Sequence, residues 1–71
     1  MAKSRLVQAT ARFGDCLIVV HLQEDLMRSY ESCGLSNAAA EARAALMESR
    51  SHLLTALAEL DRAQRATKQT V

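Results

Sequence analysis

The sequence has no proline and no tryptophan, one phenylalanine, one tyrosine and two glycines among its 71 residues. Each scarcity excludes something. Strands want β-branched and aromatic side chains, and their turns want Gly and Pro, so a sheet suits this chain poorly. With almost no aromatic rings, stacking of single-stranded nucleic acid is poorly supported. There is no Gly-rich phosphate loop and no Ser/His/Asp spacing of note, and a nucleophile would need both a base and an oxyanion site, so no enzyme is expected. The apolar run Cys16 to Val20 is too short and too far along for a signal peptide. Nothing approaches the roughly 20 apolar residues of a membrane span. Cys16 and Cys33 are the only cysteines. On one helix they sit about 25 Å apart in projection, too far to bridge. A cytoplasmic protein with reduced thiols and no membrane contact is expected. Nine Lys and Arg against eight Asp and Glu leave a net charge of +1, so any electrostatic function must rest on charge placement.

What the chain has in plenty is Ala, Leu, Arg and Glu, a helix composition. The one clear punctuation mark is Cys33-Gly34-Leu35-Ser36-Asn37. Gly34 can take the left-handed position that ends a helix, with Leu35 as the apolar residue that often follows. Ser36 or Asn37 is then the expected side-chain cap of the next helix, with Glu41 near its positive end. The reading is one all-α domain over residues 1–71, with helix 1 about 4–33, a turn at 34–36 and helix 2 about 37–67. Two helices of matched length on a short connection fold back as an antiparallel hairpin, each about 45 Å long. Gly14 lies inside helix 1, at a cost of about 1 kcal/mol against alanine, and marks a bend, a fraying first turn or a close helix contact.

Helix 2 carries a clean seam: Ala39, Ala42, Leu46, Ser49, Leu53, Ala56, Leu60 and Ala63 alternate three and four apart. Helix 1 is less tidy. Leu6, Ala9, Phe13, Cys16, Leu17 and Val20 form one stripe, while Val19, Leu22, Leu26, Met27, Tyr30 and Cys33 form another, rotated from it. Across Cys16-Leu17-Ile18-Val19-Val20 the helix is apolar all round, and such a helix needs cover all round. One neighbouring helix covers one side. The expectation is therefore a homodimer, two hairpins making a four-helix bundle with helix 1 inside. Phe13, Cys16, Val19, Val20, Leu22, Leu26, Leu46, Leu53 and Leu60 are the expected core and dimer residues. A buried strand over 16–20 is the alternative, and the flanking helical period argues against it.

Two constellations invite a chemical reading. His21, Glu24 and Asp25 on helix 1 come level with Glu48 and His52 on helix 2, but the helical wheel points the two sets away from the seam, and no metal or other cofactor is expected. Lys3, Arg5 and Arg12 open helix 1 while Arg62, Arg65 and Lys68 close helix 2, so the open end of the hairpin is basic and the turn end holds Glu24, Asp25, Glu31 and Glu41. That end suits phosphate or an acidic partner. The expected function is a small non-enzymatic dimeric regulator or adaptor acting by protein contact, such as an inhibitor or anti-activator of a larger protein. Leu17, Ile18, Met47 and Leu54 are the candidate partner contacts, and for Leu17 and Ile18 the dimer core is the preferred reading. The alternatives are a nucleic-acid-binding helical dimer using the basic end, and a small assembly or secretion co-chaperone.

Overall fold

A computed structural model describes the backbone from Ala2 to Gln69 and the side chains from Ser4 to Lys68. Two helices, α1 (Ala2–Ser32) and α2 (Ser36–Gln69), pack along their length as an antiparallel hairpin about 55 Å long. Ion pairs mark the alignment: Arg12 reaches Glu59 at 2.9 Å, Glu24 meets Arg50 at 3.3 Å and Glu31 meets Arg43 at 3.9 Å.

The turn is built from backbone. Gly34 has φ of 73°, its amide donates to the Glu31 carbonyl at 3.1 Å, and the Leu35 amide donates to the Tyr30 carbonyl at 2.9 Å. These two bonds satisfy carbonyls that the end of α1 would otherwise leave open. The Leu35 carbonyl then accepts the first bond of α2, from Ala39 at 2.9 Å. Leu35 thus holds the cap position, which corrects the expectation of a side-chain cap from Ser36 or Asn37. Both already lie inside the first turn of α2, and neither side chain makes a hydrogen bond among the described residues. α1 runs unbroken through Gly14, and a Cβ there would meet nothing within 4 Å, so this glycine marks neither a break nor a close helix contact.

The buried side chains are Ala9 and Val20 on α1 with Ala39, Ala42, Leu46, Ala56 and Ala63 on α2. Ser49, Leu53 and Leu60 are half-buried, so the whole expected seam of α2 faces α1. α1 answers with Leu6, Ala9, Phe13, Cys16, Val20, Gln23, Met27 and Tyr30, all buried or half-buried and again three and four apart. This redraws the two stripes expected of helix 1. Met27 and Tyr30 belong with Phe13 and Cys16, joined through Gln23, while Leu17 and Cys33 fall outside the seam. Alanine-lined seams let helices approach closely but bury little apolar area per residue. Among the described residues the buried large aliphatic side chains are Val20 and Leu46, each worth about 1.5–3 kcal/mol.

Candidate interaction surfaces

The seam leaves two flanks, and seven-residue spacing assigns residues to them. On one, the Arg12–Glu59 pair is followed a heptad later by Val19 opposite His52, and then by Leu26 opposite Ala45. Val19 and His52 indeed line one shallow depression together with Cys16 and Ser49. On the other flank the pairs Glu31–Arg43 and Glu24–Arg50 are continued, a heptad further toward the open end, by Leu17 opposite Leu57.

Both flanks carry large apolar side chains in solvent. Along α1 on the Arg12 flank, Val19, Leu22 and Leu26 form a stripe with Ile18 at its outer edge, and Leu22 is 63% exposed. On the Glu24 flank Leu17 is 36%, Leu57 47%, and Leu54 and Met47 are 66% and 67% exposed. Of the expected core and dimer residues, Val20 and Leu46 are buried, and Phe13, Cys16, Leu53 and Leu60 are half-buried. Val19, Leu22 and Leu26 lie outside the hairpin's own interior. The candidate contacts Leu17 and Ile18, adjacent in sequence, point to different sides of α1.

The charges divide the flanks further. At the open end Arg5, Arg12 and Arg62 surround a groove of about 470 Å³ whose floor is Ala9 and Ala63 and whose one acid is Glu59. Arg65 turns instead to Asp61 at 3.1 Å, and Lys68 stands exposed in the last turn of α2. The Lys3 side chain lies outside the described residues. Toward the turn, Arg28 pairs with Asp25 at 3.6 Å, and His21 Nδ1 lies 3.4 Å from Glu24. His21 and Glu24 sit on one flank and His52 on the other, so the structure does not bring the two histidine-carboxylate sets together. Among the described residues no three His, Cys, Asp or Glu side chains converge on a metal position. No described helix is long and apolar enough to cross a membrane. Cys16 and Cys33 are free thiols, one half-buried and one exposed.

Gln23 is the seam residue that pattern reading passes over. It occupies the seam at the level of Ser49, and its Oε1 is buried without a hydrogen-bond partner. Its position three after Val20 and four before Met27 is the signal that would have found it. Compared with known protein families, with curated proteins and with solved structures, the chain shows no match.

Proposed function

We propose that this chain is a small non-catalytic regulator or adaptor, cytoplasmic, that self-associates into a four-helix bundle and acts by binding another protein. The observation that carries this is the large apolar side chains in solvent on both flanks of the hairpin, more than one neighbour could cover. The area agrees: a compact monomer of 7.8 kDa exposes about 4400 Å² by the usual size scaling, and this hairpin exposes 5432 Å². The surplus is comparable to the roughly 800 Å² that each partner contributes to a standard interface. Self-association uses one flank, and Leu54 and Met47, on the other, are the partner contacts; a flexible methionine adapts to a groove or helix.

The test is a tagged chain recovered from its native cell. One stoichiometric protein should be retained by the wild type and lost with Leu54→Asp or Met47→Asp, while sedimentation shows both variants still self-associated. Retention untouched by both substitutions would remove the adaptor reading. The groove of Arg5, Arg12 and Arg62 favours a second reading, binding of a nucleic-acid backbone. It predicts an affinity falling steeply with salt, with a slope lowered by about one unit for each arginine replaced. Affinity indifferent to salt excludes it.

A further inference from the structure

We infer that the Arg12 flank is the face on which a second copy of this chain docks, the two hairpins stacked face to face and running in opposite directions. This rests on the self-association proposed above, and adds the face and the orientation.

The two flanks differ in how far their polar side chains are matched within the chain. On the Glu24 flank the side chains Glu24, Glu31 and His21 all have partners within the chain. On the Arg12 flank the Arg12–Glu59 pair is the one internal match among the described residues. Arg5, Arg62, Glu41 and Glu48 have no ion-pair partner among the described residues. They are also sorted by sign, with the arginines at the open end, Glu41 toward the turn, and Glu48 level with the apolar stripe of Ile18, Val19, Leu22 and Leu26.

A two-fold axis lying in a flat interface allows two stackings. If it runs along the hairpin, α1 lies on α2 of the second copy with like ends together. Arginines then face arginines, and the apolar stripe faces the Glu41, Glu48 and His52 side of α2. If it runs across the hairpin, α1 lies on α1 with the ends exchanged. The stripe then meets itself, and basic ends meet acidic ones. One orientation satisfies both the apolar and the charged groups.

Register makes this specific. Taken together, the three ion pairs between the helices set Arg62 level with about residue 11 of α1 and Glu41 level with about residue 32, at roughly 1.5 Å per residue. These lie almost equally far on either side of the stripe's centre near Leu22. The flipped copy therefore brings Arg62 over Glu41 of the second copy, twice per dimer, and Glu48 beside the second His52. Asp15, also on this flank, meets no cation in the arrangement and weakens it.

Sedimentation equilibrium on the full chain tests the inference. Leu22→Asp, at a site exposed in the single hairpin, should raise the dimer dissociation constant at least about a hundredfold. Leu54→Asp on the opposite flank should leave it within about threefold. Arg62→Glu and Glu41→Arg should each weaken the dimer about tenfold, and the double variant should return to near the wild-type value. A dimer broken by Leu54→Asp but not by Leu22→Asp overturns the face. A double variant weaker than either single overturns the orientation. In both cases the chain still self-associates, so the parent reading stands. A wild type that sediments as a folded single chain at micromolar concentration overturns both.

Discussion

The two glycines of this chain have opposite roles. Gly34 supplies a left-handed turn at φ of 73°, a conformation that costs an L side chain about 1–2 kcal/mol. Gly14 sits in ordinary helix with open space where its Cβ would be, and costs the fold stability for no local return. Gly14→Ala should raise stability by about 1 kcal/mol and Gly34→Ala should lower it by about as much, both read as midpoint shifts in urea unfolding followed by circular dichroism. Gln23 is a third case. A buried oxygen without a partner costs about 1–3 kcal/mol, so Gln23→Leu should stabilise the hairpin rather than open it. Unchanged or lower stability in that variant would mean the amide is satisfied in solution by a group the seam admits, such as water.

At the scale of the helices, packing outweighs charge. The ion pairs that align α1 with α2 are largely in solvent, Arg12 with 66% of its side chain exposed, and such a pair contributes about 0–1 kcal/mol. Leu46, 2% exposed, has no such slack. Leu46→Ala should cost about 2–5 kcal/mol and unfold much of the population, while Arg12→Ala should shift the midpoint by less than about 1 kcal/mol. The same contrast explains what was legible from residues alone. The hairpin, its hinge at Gly34 and the seam of α2 follow from a single dominant period and one unambiguous breaker. α1 is harder, because five consecutive apolar residues satisfy two stripes at once, and because the seam passes through a polar residue at Gln23. Which stripe turns inward is decided by the face α2 presents, a pairing that no one-helix pattern contains. The cap at Leu35 was hidden for a related reason. Backbone bonds around Gly34 advance the start of α2 by a residue, leaving Ser36 inside the helix. The candidate contacts Leu17 and Ile18 were visible as apolar residues, but their placement on different flanks emerges only once α1 is fixed against α2.

For the molecule as a whole, the hairpin surrounds a thin interior of mostly alanine and keeps many of its larger aliphatic side chains outside. If assembly covers them, folding and association are one equilibrium, and the melting temperature depends on concentration. Each tenfold dilution through the micromolar range should lower the melting midpoint by several degrees, measured by thermal circular dichroism. A midpoint constant over a hundredfold dilution would show that the single hairpin is stable by itself.

The two seams also stand in a particular phase across the turn. From Tyr30, the last seam residue of α1, to Ala39, the first of α2, is nine positions. At about 100° per residue an uninterrupted rod would turn these two residues to opposite sides and the two seams well away from each other. A chain that straightened at Gly34 and tried to exchange halves with a neighbour would find half its sticky surface facing outward, ready to recruit further rods in an endless stack. The bend at one glycine therefore does more than shorten the molecule. It keeps a closed object from becoming an open-ended one.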